Sequence, residues 1–197
     1  MRSLIFCVLV LTLAALPAAA QLTQTAGWED GTSTVLDEYP DGQIISTNVG
    51  APDPVHSGLR SLKLEDAAAS GTPQAYLVWV TGLADGDQIT ASFWRYDDTP
   101  AAAPSVRIWG HWNDGALLTD YDGSAGGSSD YGPGTGWDQA SYTWTVADGH
   151  TGFVLEARTY SSAGDTVWLD DLEITIPDTA TFESAPLPVE LQRFEIE

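Results

Sequence analysis

The sequence predicts an all-β protein, a sandwich of two antiparallel sheets, on three observations. Apolar residues nowhere keep the three-and-four spacing of an amphipathic helix over ten residues. Alternating apolar and polar runs recur instead, rich in Val, Ile, Thr and aromatic residues. Clusters of Gly, Pro, Asp and Asn separate these runs at intervals typical of a sandwich.

The first twenty of the 197 residues are set aside before the strands are placed. Arg2 gives a short basic start, Leu4 to Leu16 is an apolar run, and Pro17 precedes Ala18-Ala19-Ala20. This is the plan of a secretory signal peptide cleaved before Gln21, so the protein is expected to be secreted. The run is shorter than the ~20 apolar residues of a membrane span, and no later segment approaches that length. The single cysteine, Cys7, falls inside this leader. An exported chain without disulfides must rely on a sizeable core or a metal. One domain is expected over 21–176, where all eight tryptophans lie (Trp28 to Trp168), and a linker or truncated tail over 177–197.

In order, strands are predicted at Ala26–Glu29, Gly42–Ser46, Ser61–Glu65, Ala75–Thr81 and Gln88–Tyr96, then at Ser105–Trp112, Ala140–Val146, Gly152–Tyr160 and Thr166–Ile176. Between Asn113 and Trp137 the chain is dense in Gly, Ser and Asp, which predicts a long surface loop with a short hairpin at Leu117–Tyr121.

Charge excludes some partners. The chain carries 28 Asp and Glu against 7 Lys and Arg, a formal charge of −21; losing Arg2 with the leader makes it −22. Nucleic acid and anionic membrane surfaces are poor partners for such a chain. Solubility in a salty medium accounts for most of the charge, and cation binding for a few named carboxylates.

Three strands share a pattern. In "DQITASFWRYDD" Ile89, Ala91 and Phe93 oppose Thr90, Ser92, Trp94 and Tyr96. In "SVRIWGHW" Val106 and Ile108 oppose Arg107, Trp109 and His111, and in "GFVLEARTY" Phe153, Leu155 and Ala157 oppose Glu156, Arg158 and Tyr160. If these strands share a sheet, its outer face carries Trp94, Tyr96, Arg107, Trp109, His111, Glu156, Arg158 and Tyr160. Solvent faces rarely gather so many large aromatics, so this one is expected to bind a ligand. Trp137, Trp144 and Trp168 are expected to pack instead. In "VWLDDLEI" the alternation sets Trp168, Asp170, Leu172 and Ile174 on one side, the apolar one. A carboxylate aimed there needs a cation or several hydrogen-bond donors.

The order "GWEDG", "VHSGLRSLKL", "VTGLADGDQITASFWRY", "GWDQASYTWTV" and "VWLDDLEI" resembles the jelly-roll carbohydrate-binding modules with a galactose-binding-domain-like sandwich, closest to the xylanase- and glucanase-associated group. The resemblance spans roughly Thr25 to Ile176. It implies a structural calcium held by the Glu29 and Asp170 carboxylates and by backbone oxygens near Ser57 and Lys63. It also implies a polysaccharide or cell-surface glycan as partner, with the aromatic face stacking on sugar rings. The terminal "PLPVELQRFEIE" resembles the "LPVEL-x-x-F" segment opening the terminal region of proteins exported by the bacterial type-nine route.

Catalytic signals are thin. No G-x-S-x-G or H-E-x-x-H occurs, and His56, His111 and His150 are widely spaced with no cysteine nearby for zinc. The expectation is a non-catalytic secreted module, a monomer or part of a larger secreted protein. Adhesion on the same fold is the alternative, and a small polysaccharide lyase or hydrolase a more distant one.

Overall fold

The computed structural model describes residues 20–97, 106–133, 135–159 and 164–185. Residues 1–19 of the predicted leader, Tyr160 and the residues after 185 lie outside them. Twelve strands follow in chain order: β1 Gln21–Ala26, β2 Asp37–Tyr39, β3 Ile44–Gly50, β4 Arg60–Asp66, β5 Gln74–Thr81 and β6 Gln88–Asp97 come first. The others are β7 Arg107–Trp112, β8 Ser124–Gly127, β9 Gly136–Thr145, β10 Gly152–Arg158, β11 Thr166–Pro177 and β12 Thr181–Ser184.

They form two six-stranded antiparallel sheets, as the all-β prediction required. The first runs β3-β4-β11-β6-β9, and the second β12-β5-β10-β7-β8. In each, one strand holds two partners end to end on the same edge. The first half of β11 pairs β4 and its second half pairs β1. Likewise β5 pairs β2 through Gln74, Ala75 and Tyr76, and β12 through Val78 to Thr81.

The core is the aliphatic side of the alternating strands. Ile89, Ala91 and Phe93 of β6 meet Ile108, Phe153, Leu155 and Ala157 of the second sheet, joined by Leu62, Leu64, Leu77 and Val80. Arg95 continues the inward side of β6 and is buried. Its guanidinium donates to the Val106 and Asp130 carbonyls (2.7 and 2.8 Å) and pairs with Asp138 and Asp130. Trp144 and Trp168 are buried as expected, while Tyr142, on the edge strand β9, is partly exposed.

Several boundaries differ from the sequence reading. The first strand lies before Ala26, not after it, because residues 29–32 turn around the Asp30 carboxylate, which accepts the Thr32 and Ser33 N–H groups. No hairpin forms at Leu117–Tyr121. The Asn113 amide donates to the carbonyls of Leu117, Leu118 and Asp120 and closes a turn there, and β8 follows on the edge of β7. The segment expected to be a linker enters the sandwich as β12, with Ala180 buried and Phe182 packed on the core.

The largest correction concerns β11. Val167 and Leu169 face the core before Asp170, whereas Leu172, Ile174 and Ile176 face it afterwards. The change of parity is a bulge: pairing with β6 shifts between Asp170 and Glu173, and Asp171 adopts φ 47°. Trp168 and Asp170 therefore point away from the core, not into it. Asp170 is buried because residues 56 and 57 lie over it.

Candidate functional site

The outer face of the second sheet carries most of the predicted site. Cross-strand pairing sets Gln74, Arg158 and Arg107 in one row and Tyr76, Glu156 and Trp109 in the next. A bulge in β5, where Leu77 is the extra residue between Val78 and Tyr76, brings Glu156 opposite Tyr76. Glu156 is fully buried and is the centre of this face. Its Oε1 lies 2.6 Å from His111 Nδ1, and its Oε2 accepts from Arg158 Nε (3.0 Å) and Nη2 (2.7 Å). With its amide turned to match, Gln74 donates to Glu156 Oε1 (3.1 Å) and accepts from Arg158 Nη2 (2.9 Å). A buried carboxylate is tolerated when its oxygens are satisfied in this way.

Above the network lies an open cleft of about 420 Å³ lined by Tyr39, Gln74, Tyr76, Thr119, Tyr121 and Arg158. Tyr39 and Tyr121 are 56 % and 61 % exposed, so their rings are available at its rim. Burial, reinforced by the charges of Glu156 and Asp37, pushes the Tyr76 phenol well above its ordinary value. Tyr76 thus stays a neutral hydroxyl near neutral pH, a hydrogen-bond partner and not a base. His111, 1 % exposed, sits beneath, with its ring 5.1 Å from Tyr76 and 5.3 Å from Tyr121.

Trp109 is differently placed from the sequence expectation of a free stacking platform. The Arg107 and Arg158 guanidinium carbons lie 4.4 and 4.9 Å from its ring centroid, and its Nε1 donates to Ser124 Oγ. Its ring is engaged by cations. Of the predicted binding set, Arg107, Trp109, His111, Glu156 and Arg158 share this face, yet only Arg158 lines the cleft. Tyr160 lies outside the described residues.

Trp94 and Tyr96 belong to the other sheet, so the eight residues do not share one face. The His56 ring stacks on Trp94 at 4.0 Å, and Tyr96 meets Trp137 and Trp168 edge-on. Sequence reasoning missed Tyr39, Gln74, Tyr76, Thr119 and Tyr121. The alternation of Gln74 and Tyr76 with Ala75 and Leu77 was a usable signal for two of them. Tyr39, Thr119 and Tyr121 reach the cleft through an edge strand and a turn that leave no periodic trace.

As arranged, the residues expected to enclose calcium fit hydrogen bonds and not a cation. Asp170 Oδ2 accepts the His56 and Ser57 N–H groups (2.9 and 3.1 Å) and Oδ1 the Asp171 N–H (2.8 Å). Glu29 accepts from Leu59 and Arg60 N–H, with its carboxylate lying where a Cβ on Gly58 would otherwise stand. Lys63 sits mid-strand in β4, opposite Trp168 and Thr47. What converges on both carboxylates is N–H, whereas calcium requires six to eight oxygens. Among the described residues no three His, Cys, Asp or Glu side chains come together as a metal cluster. Asp171 accepts from Ser57 Oγ and contacts His56 Nδ1, both at 2.6 Å. Ser57 and His56 thus both address Asp171 instead of each other, which is not the relay of a serine nucleophile.

No family model matches the chain, and no curated protein matches its sequence. Solved structures do. The chain is similar to the CBM22-1 xylan-binding domain of Xyn10C from Paenibacillus barcinonensis, with TM-score 0.52 and 16 % identity over 83 % of this chain and 98 % of that one. The tandem CBM22-1–CBM22-2 domain of the same protein gives TM-score 0.51 and 16 % identity over 82 % and 48 %. The enzymatically active domain of tailspike protein 4 from bacteriophage CBA120 gives 0.50 and 11 % over 76 % and 20 %. The chain has a jelly-roll β-sandwich, the fold it shares with the CBM22-1 domain. Among the described residues no helix is long and apolar enough to cross a membrane.

Proposed function

We propose that this chain is a secreted, non-catalytic carbohydrate-binding module that holds a polysaccharide in the cleft of the second sheet. The observation that carries the reading is the cleft itself: three tyrosines surround a buried network that ends in Arg158 and Gln74. Sugar rings have apolar C–H faces and a rim of hydroxyls, so exposed rings beside fixed donors and acceptors suit them. The likeness in fold to a xylan-binding domain supports the same reading. Catalysis is disfavoured by burial, since the ionisable groups able to move a proton here, His111 and Glu156, lie beneath the cleft and pair with each other. Secretion rests on the leader-like first twenty residues.

Affinity electrophoresis against xylan, β-glucan, mannan and acidic polysaccharides tests the proposal. Retardation by at least one glycan is expected, weakened about tenfold in Tyr121→Ala, a loss of about 1.4 kcal/mol. Trp94→Ala, on the opposite sheet, should bind as the parent does. No retardation by any glycan would overturn the reading in favour of adhesion, and release of reducing ends would favour an enzyme.

A further inference from the structure

We infer that the ligand of this cleft carries carboxylate groups, as a uronic-acid-containing polysaccharide does, and that Arg107 anchors them; this rests on the binding role just proposed. In a chain of net charge −21 with only seven Lys and Arg, two arginines face each other across neighbouring strands, Arg107 of β7 and Arg158 of β10. Like charges directly opposite oppose pairing unless something compensates them. Glu156 compensates Arg158. Among the described residues no carboxylate pairs with Arg107, whose guanidinium lies 4.4 Å from the Trp109 centroid and 4.9 Å from that of Tyr131.

Among the described residues the buried Arg107 Nε has no hydrogen-bond partner. Such an atom is unusual in a native fold and calls for an acceptor. A guanidinium stacked on rings presents its N–H groups at its edge, where the planar fork matches a carboxylate. The Arg107–Trp109–Arg158 stack adjoins the cleft through Arg158, so a saccharide lying in the cleft would bring a substituent on the next ring to Arg107. Within the stack Arg107 and Arg158 face the single carboxylate of Glu156, which leaves Arg107 the cation open to an anionic ligand.

The test compares one acidic polysaccharide, glucuronoxylan, with the same material after chemical reduction of its carboxyl groups. Titration calorimetry of the parent protein is expected to show about tenfold weaker binding to the reduced form, as the loss of a charge-assisted hydrogen bond implies. Arg107→Gln should remove the difference between the two forms, with folding verified by circular dichroism, while Arg107→Lys should keep part of it. Equal affinity of the parent for both forms would overturn the inference and leave the binding role standing. Binding to neither, nor to any neutral glycan, would overturn both.

Discussion

Glu156 is a fully buried carboxylate whose two oxygens are shared among His111, Arg158 and Gln74. Removing it leaves a guanidinium uncompensated under the cleft. Glu156→Ala is expected to lose about 3–5 kcal/mol in urea unfolding, and Glu156→Gln less, since the amide keeps one acceptor. Asp170 is the corresponding group on the first sheet. Burial raises its carboxyl above the ordinary carboxylate value, and the N–H groups of Ser57, Asp171 and His56 offset this only in part. The folded state therefore binds this proton more tightly than the unfolded state does. The contribution of Asp170 to stability falls as pH rises from the ordinary carboxylate range through its raised folded value. The stability gap between the parent and Asp170→Ala should narrow over that window, and stay at about 2–3 kcal/mol near neutrality as N–H donors lose their acceptor. Chelator should leave the melting temperature unchanged, because these donors need no ion. A marked drop restored by calcium would reverse the assignment.

At the scale of elements, the sequence disclosed strands far better than their parity. The alternation of Ile89, Ala91 and Phe93, or of Phe153, Leu155 and Ala157, reads directly as a core side because each strand is regular. In β11 the bulge after Asp170 exchanges the two sides, and no residue type announces it: Asp171 merely tolerates a left-handed conformation better than most. Carrying the parity of Leu172 back to Trp168 therefore misplaced both Trp168 and Asp170. β12 was illegible for a different reason. Four residues with one apolar side chain between Pro177 and Pro186 give too short a pattern, and its place is set by the free half of the β5 edge. Phe182→Ala should destabilise by about 1–3 kcal/mol in urea unfolding, less than a central core residue because the ring is only partly buried.

For the whole molecule, the limit of sequence reading was sheet membership. A strand shows which of its sides is apolar, but not which sheet it joins. Trp94 and Tyr96 looked like companions of Trp109 and Arg158, yet topology places β6 beside β11 and β9, on the far sheet. The five residues of β7 and β10 came together because those strands are neighbours. Net charge acts at this scale too. With −21 spread over one domain, self-repulsion opposes compactness and salt screens it, over ~10 Å at 0.1 M and ~30 Å at 0.01 M. Raising sodium chloride between these limits should raise the melting temperature; a fall would mean that attractive pairs such as Arg95–Asp138 dominate instead.

The Asp178 N–H donates to the Ala20 carbonyl at 3.1 Å, directly ahead of the first pairs of β1 with β11. For a leader ending at residue 20, that contact sets an order of events. A peptidase must grasp the segment as a free extended strand, which it cannot do once the segment is zipped into the sheet. If residues 1–20 are cleaved as a secretory leader, trimming would come first and docking of the amino-terminal strand last, and export and the final seam of the sandwich would be successive steps of one process.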